Sequence, residues 1–147
     1  ERGMHLARQH GMTFYRCPEG LNHKFQNKKT QGSESFMVED WLNYHGCALE
    51  KRFQLSAYKL MNHLLSTVDI SREELSAVDV AASIASEIHI VTVDSDLLFT
   101  AHQSNLNYQE LKGQKKEVYY HEIESIHGHD AILIEYPKLS SILERII

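Results

Sequence analysis

The stretch Ile88-His89-Ile90-Val91-Thr92-Val93 decides the fold class, because it is nearly all apolar and rich in β-branched residues. Such a run is typical of a strand that is buried on both faces of a parallel sheet. A turn at 94–96 follows, and the pattern then predicts a helix from about Thr100 to Leu111 and a second strand over 117–123. The order strand–helix–strand, closed by a helical tract to Ile147, predicts a parallel βαβ unit.

The chain before this stretch predicts helices. Glycines, prolines and apolar periodicity place them over four segments: a first one ending near Gly11, Pro18 to Phe25, about Phe36 to His45 with Gly46 as its stop, and a helix whose apolar face runs from Ala57 to Val68. Ser71 and Glu74 form a capping-box pattern that predicts the start of another short helix.

Two parallel strands do not make a stable sheet without further strands at their edges and helices on both faces. We therefore expect the chain to be the C-terminal part of a larger α/β protein. Residues 1–70 are predicted to be a helical segment, and residues 71–147 the C-terminal portion of the α/β core.

Composition excludes several classes of protein. The 147 residues carry 15 Lys and Arg against 20 Asp and Glu, and the net charge of −5 argues against nucleic-acid binding. Apolar runs are too short to span a membrane, and no secretory signal is visible, so we expect a cytoplasmic protein. Cys17 and Cys47 match no zinc motif, and reduced thiols are favoured over a disulfide between them.

A carboxylate and a histidine follow the two predicted strands. Asp96 lies just after the first strand and His129 just after the second, and ligands of open α/β sheets bind beyond these carboxyl ends. An acid followed in the chain by a histidine is the order of the last two members of an α/β-hydrolase triad. The acid holds the imidazole in one tautomer while the imidazole moves a proton, and Gly128 permits the turn that aims the ring. Asp96 taken alone is typical of a turn or helix-cap residue, so the prediction of a triad acid depends on the presence of both Asp96 and His129.

Several collinear segments resemble homoserine O-acetyltransferases. The C-terminal ones are Val93–Phe99 and His127–Glu135, whose Asp96 and His129 are 33 positions apart, as in that family. Segments in the first half also resemble it: Gly3–Arg8, Phe14–Glu19, Phe36–Leu42, Arg52–Phe53 and Ser56–Tyr58.

The resemblance implies an α/β-hydrolase fold in which residues 1–70 form the helical lid. It implies that Asp96 and His129 are the triad acid and base, that Arg8 binds the homoserine carboxylate, that Tyr15 lines the pocket and that Asp130 holds the substrate ammonium. The implied substrates are L-homoserine and acetyl-CoA, in methionine biosynthesis, with no metal and no cofactor beyond acetyl-CoA as co-substrate. A homodimer formed through the lid is implied as well.

One departure and several alternatives accompany this interpretation. No serine lies in a Gly-x-Ser-x-Gly elbow, so we expect the nucleophile in a missing N-terminal part and this chain alone to be inactive. Homoserine O-succinyltransferase, serine O-acetyltransferase or an esterase would use the same residues. A non-catalytic dimerisation module is an alternative of another class, and a metal site is a third. Its ligands would be His121, Glu122, His127, His129 and Asp130.

Overall fold

The computed structural model describes residues 2–71 and 74–147. In chain order its elements are α1 (Arg2–Tyr15), α2 (Pro18–Phe25), α3 (Met37–Arg52), α4 (Leu55–Thr67), α5 (Ala77–Ala82), β1 (Ile88–Val93), α6 (Ala101–Gln114), β2 (Val118–Ile123), a 3₁₀ turn (Gly128–Leu133) and α7 (Tyr136–Leu143). Within those ranges, no helix combines the length and the apolar character that crossing a membrane requires.

The two strands form the predicted parallel pair. β1 and β2 run in register from Ile88 opposite Val118 to Val93 opposite Ile123, and α6 connects them. Val93 and Ile123 at the carboxyl ends pack with Ala131 of the 3₁₀ turn into a buried cluster, which Leu139 and Ile142 of α7 cover from one side. The core therefore lies directly beneath the edge where both strands end.

The burial of β1 differs from the prediction. Thr92 and Val93 are buried, but the residues from Ile88 to Val91 are only half-buried. The physical reason is that the sheet of the described residues has two strands, so β1 has a neighbour along one edge only.

Helices α1 and α3 pack against each other, and Gly46 has a different role from the predicted one. It does not stop a helix, because α3 continues to Arg52. A Cβ at position 46 would lie 2.6 Å from Nδ1 of His5 on α1. The missing side chain lets the imidazole of His5 rest against the α3 backbone, which sequence periodicity does not reveal.

The short helix that follows the predicted capping box at Ser71 and Glu74 has a capping box of its own. α5 begins at Ala77, and Ser76 caps it: Ser76 Oγ accepts from the Asp79 backbone N–H (3.2 Å), and the Ser76 N–H donates to Asp79 Oδ2 (2.8 Å). The same serine-to-acid spacing recurs five positions later, directly before the helix. Residues 72 and 73, inside the predicted pattern, lie outside the described residues.

The predicted helix with an apolar face is present as α4, but that face is exposed. No α4 residue is buried, and Leu65 and the following Val68 are 70% and 73% exposed. We call this apolar face the α4 face. Its members are Leu60, Met61, Leu64, Leu65 and Val68.

A histidine pair connects the strands on one face of the sheet. His89 Nδ1 and His121 Nε2 are 3.0 Å apart, and their rings stack with centroids 5.3 Å apart. Burial, the neighbouring His89 and Arg145 lower the pKa of His121 below its ordinary value. The folded state therefore favours the neutral ring.

This pair predicts acid sensitivity of folding. Because the pKa of His121 is lower in the folded chain than in the unfolded chain (about 6.5), protons bind the unfolded state preferentially, and the free energy of unfolding falls as the pH drops below about 6.5. His121→Gln should reduce this loss, measured as the shift of the urea midpoint between pH 7.5 and pH 5.5. His102→Gln, at an exposed position on α6, is the control and should keep the wild-type shift. An equal shift in wild type and His121→Gln would contradict the prediction.

Candidate active site

Asp96 is held rigidly in the turn after β1. One carboxylate oxygen, Oδ1, accepts from the backbone N–H groups of Leu98 (2.7 Å) and Phe99 (3.0 Å). Its own N–H donates to the Val93 carbonyl (3.1 Å), and the residue is only 8% exposed. A buried carboxylate with one oxygen held by two backbone donors has only the other oxygen free to bind a partner.

His129 reaches this carboxylate from the turn after β2. Its Nδ1 lies 2.8 Å from Asp96 Oδ2. The contact expected from the sequence is thus present, although the catalytic roles stay predictions. The aromatic rings of Tyr15 and Phe99 lie 5.7 Å and 5.4 Å from the imidazole centroid. No described residue hydrogen-bonds Nε2, so this nitrogen is the one left to exchange a proton with a bound molecule.

The two turns are joined by hydrogen bonds that the sequence did not indicate. Asp94 Oδ1 accepts from the Ser125 N–H (2.9 Å), and Ser95 Oγ donates to the Ser125 carbonyl. Ser95 Oγ also accepts from the Gly128 N–H (3.1 Å), the residue before His129. The position of the imidazole relative to Asp96 is therefore set by side chains of the first turn that hydrogen-bond to the backbone of the second.

The junction between α1 and α2 supports the same turn from the other side. Cys17 Sγ donates to the Ile126 carbonyl (2.9 Å) and accepts from the Gly20 N–H at the start of α2 (3.4 Å). A Cβ at Gly20 would lie 2.1 Å from the Ile126 oxygen, so only glycine allows this approach. Gly128 has φ +62°, and a Cβ there would meet the Arg16 backbone at 2.9 Å.

The predicted substrate-binding residues fall into two groups. The Arg8 guanidinium lies 5.3 Å from the centroid of the Tyr15 ring, which in turn faces His129. Asp130 instead contacts Arg16, whose Nε lies 3.0 Å from Asp130 Oδ2. The Arg16 Nε–H does not point at this oxygen, because that buried nitrogen has no hydrogen-bond partner among the described residues. Arg16 is the site residue that sequence reasoning missed.

The surroundings of Arg16 are positively charged. A cavity of about 470 Å³ is lined in part by Arg16, Lys24, Trp41 and His127, while Asp96 and His129 are not in its walls. Burial and the charges of Arg8, Lys24 and Arg16 lower the pKa of His45, which Asp130 opposes. Such a region can accept anionic groups beside the imidazole–carboxylate pair.

The five residues considered as a metal site do not converge. His121 pairs with His89, His129 with Asp96, and Asp130 with Arg16. Glu122 accepts instead from the Tyr120 hydroxyl at 2.9 Å. Each of these four ligand candidates therefore has another partner.

Comparison with solved structures shows which fold the chain has. The crystal structure of esterase E22 superposes with a TM-score of 0.64, at 15% identity, over 88% of this chain and 37% of the esterase. A mutant of the same esterase matches equally well. The chain thus has part of an α/β-hydrolase fold, with a carboxylate–histidine pair where the two strands end.

Comparison with curated sequences finds relatives that match this chain over nearly its whole length. Homoserine O-acetyltransferase of Carboxydothermus hydrogenoformans is 30% identical to this chain, and the match covers 100% of this chain and 41% of that protein. Homoserine O-acetyltransferase of Methanococcus vannielii is 32% identical, and the match covers 99% of this chain and 31% of that protein. Homoserine O-succinyltransferase of Saccharophagus degradans is 29% identical, and the match covers 91% of this chain and 38% of that protein. No family model matches. The chain is a relative of the homoserine O-acetyltransferases, and it spans about two fifths or less of the length of those first two relatives.

Two glycine substitutions test the packing of this site. Gly128→Ala should lower the free energy of unfolding by ~2–4 kcal/mol, because it combines a left-handed φ with overpacking against the Arg16 backbone. Gly113→Ala, on α6 with open space around it, should instead be neutral or stabilise by up to ~1 kcal/mol. Chemical denaturation measures both. Equal effects of the two variants would refute the tight packing of Gly128.

Proposed function

We propose that this chain supplies the acid–base half of the active site of a homoserine O-acetyltransferase. The observation that carries the proposal is the 2.8 Å contact of His129 Nδ1 with the buried, doubly anchored carboxylate of Asp96. The acid fixes the ring with its proton on Nδ1, and Nε2 becomes the base. Similarity over the whole chain to proteins named for this activity supports the substrate class.

The reaction proceeds by two acyl transfers on a serine in a Gly-x-Ser-x-Gly elbow, a motif that residues 1–147 do not contain. In the first, His129 Nε2 takes the serine proton, the serine oxygen bonds to the acetyl carbon of acetyl-CoA, and the C–S bond breaks. His129 gives its proton to the departing CoA sulfur. In the second, Nε2 takes the proton of the homoserine hydroxyl, that oxygen bonds to the acetyl carbon, and the serine leaves with the proton. No cofactor takes part besides acetyl-CoA as co-substrate.

The proposed substrate anchors follow from charge. Arg8, beside Tyr15, binds the homoserine carboxylate, since a guanidinium is suited to bidentate contact with that group. Asp130, whose carboxylate lies 3.0 Å from Arg16 Nε, binds the ammonium of the substrate. The positive region around Arg16 and Lys24 also suits the anionic groups of the substrates.

We assign residues 1–70 to the lid and 71–147 to the core of this enzyme. The lid keeps water from the acyl-enzyme, because hydrolysis competes with transfer. It also carries the α4 face, which we propose contacts a second copy in a homodimer. The two free cysteines agree with a cytoplasmic enzyme of methionine biosynthesis, where thiols stay reduced.

Succinyl transfer is the second candidate. The relative of Saccharophagus degradans named homoserine O-succinyltransferase matches this chain nearly as well as the O-acetyltransferases do. Steady-state rates of the complete gene product with L-homoserine and either acetyl-CoA or succinyl-CoA distinguish the two.

The catalytic proposal is tested with the complete gene product that carries these residues. Release of free CoA thiol from acetyl-CoA in the presence of L-homoserine is followed spectroscopically. Asp96→Asn should lower kcat by about 10³- to 10⁴-fold, because the imidazole loses its tautomer control, and His129→Ala should lower it at least as much. Asp69→Asn is the matched control and should be neutral, because this exposed carboxylate accepts hydrogen bonds from Ser71 alone among the described residues. Activity within tenfold of wild type in Asp96→Asn would reject the proposed role.

The dimer proposal predicts a change of mass in solution. Leu65→Glu should convert the dimer to monomers, since it places a charge in the centre of a desolvated interface. Leu106→Glu, at a leucine on α6 that is 49% exposed, is the control and should stay dimeric. Sedimentation velocity measures both. A monomeric wild type, or a dimeric Leu65→Glu, would contradict the assignment of the α4 face.

A further inference from the structure

Three side chains with metal-binding atoms meet between α1 and α3, away from the acid–base pair. His5 is on α1, and Cys47 and Glu50 are on α3, three residues apart and so on one side of that helix. The His5 Nδ1 lies 3.8 Å from Cys47 Sγ and 3.6 Å from Glu50 Oε2, and all three ligand atoms lie within 4.8 Å of one another. Among the residues that the structure describes, no other three His, Cys, Asp or Glu side chains bring their ligand atoms this close together.

The separations are close to those of a tetrahedral zinc site. Bonds of about 2.0 to 2.3 Å from zinc to nitrogen, oxygen and sulfur, at tetrahedral angles, place neighbouring ligand atoms about 3.4 to 3.6 Å apart. The observed 3.6 and 3.8 Å from His5 Nδ1 are slightly longer, and the third separation, between Cys47 Sγ and the Glu50 carboxylate, is within 4.8 Å. Side-chain rotation would have to shorten all three separations around an ion. One thiolate, one imidazole and one carboxylate also form a ligand set that suits zinc better than magnesium or calcium.

The helix packing prepares this arrangement. Gly46 precedes Cys47, and any side chain at position 46 would collide with the His5 ring, at 2.6 Å from Nδ1. The glycine thereby lets the imidazole approach α3 beside the thiol. An open groove of about 510 Å³, lined by His5, Glu50 and their neighbours, gives an ion access from solvent.

We propose that His5, Cys47 and Glu50 bind one Zn²⁺ ion, with water in the fourth position. Binding displaces the thiol proton of Cys47 to solvent and forms the zinc–sulfur bond without any redox change. The ion joins α1 to α3 and so stabilises the helical segment. The proposal is independent of the acyl-transfer assignment, because it uses none of the residues assigned to substrates or to proton transfer.

Metal titration of the protein, after removal of metal with a chelator, is the test. Calorimetry with ZnCl₂ should give saturable binding of one equivalent, and CoCl₂ should give a thiolate-to-cobalt charge-transfer band in the near ultraviolet. Cys47→Ser should abolish the band. His5→Asn and Glu50→Gln should each weaken zinc binding by at least roughly 10- to 100-fold. That is the loss of affinity caused by removing a residue that only hydrogen-bonds to a metal ligand, and these residues are proposed as ligands themselves. Zinc should also raise the Tm of wild type more than that of Cys47→Ser.

Controls separate this site from binding elsewhere. His10→Asn, at an exposed histidine of the same helix, should bind zinc with wild-type affinity. Circular dichroism checks that each variant is folded, so that loss of binding is not loss of structure. Absence of saturable binding would overturn the proposal. A cobalt–thiolate band that persists in Cys47→Ser, or unchanged affinity in His5→Asn and Glu50→Gln, would do the same.

Discussion

The hydrogen bond between His129 Nδ1 and Asp96 Oδ2 is the constraint on which the site depends. It forms only if the turns after β1 and β2 meet at one edge, and the parallel register that ends with Val93 opposite Ile123 brings them there. The second carboxylate oxygen is already held by two backbone N–H groups, so the acid cannot turn away. The contact fixes the imidazole through Nδ1, and Nε2 has no hydrogen-bond partner among the described residues.

This geometry also ties the helical half of the chain to the sheet. The turn that carries His129 lies against the α1–α2 junction through the Cys17 thiol and through two approaches that only glycine permits, at Gly20 and Gly128. A side chain at either glycine would push the turn away from the junction. The orientation of His129 therefore depends on residues more than a hundred positions earlier in the chain.

Features determined by local pattern could be predicted from the sequence. The β-branched run predicted β1, Pro18 predicted the start of α2, and the positions of Asp96 and His129 after successive strands predicted their contact. The errors come from tertiary neighbours. Gly46 reads as a helix stop until His5 is known to pack on it, and the apolar pattern of α4 predicts the helix but not whether that face is covered. Arg16, and the convergence of His5 with two α3 residues more than forty positions later, have no spacing signature at all.

The Asp96–His129 pair is fixed by hydrogen bonds, although the buried apolar cluster beneath it is small. Its buried cluster consists of Val93, Ile123 and Ala131, and β1 is half-buried over four residues. The orientation of the pair and the burial of the sheet have different physical origins. Short-range hydrogen bonds within and between two turns orient the pair, whereas burial of a parallel sheet requires strands and helices on both sides. In the proposed enzyme, further strands of the sheet would cover the open edge of β1, so the hydrophobic core as well as the chemistry would depend on the rest of the enzyme.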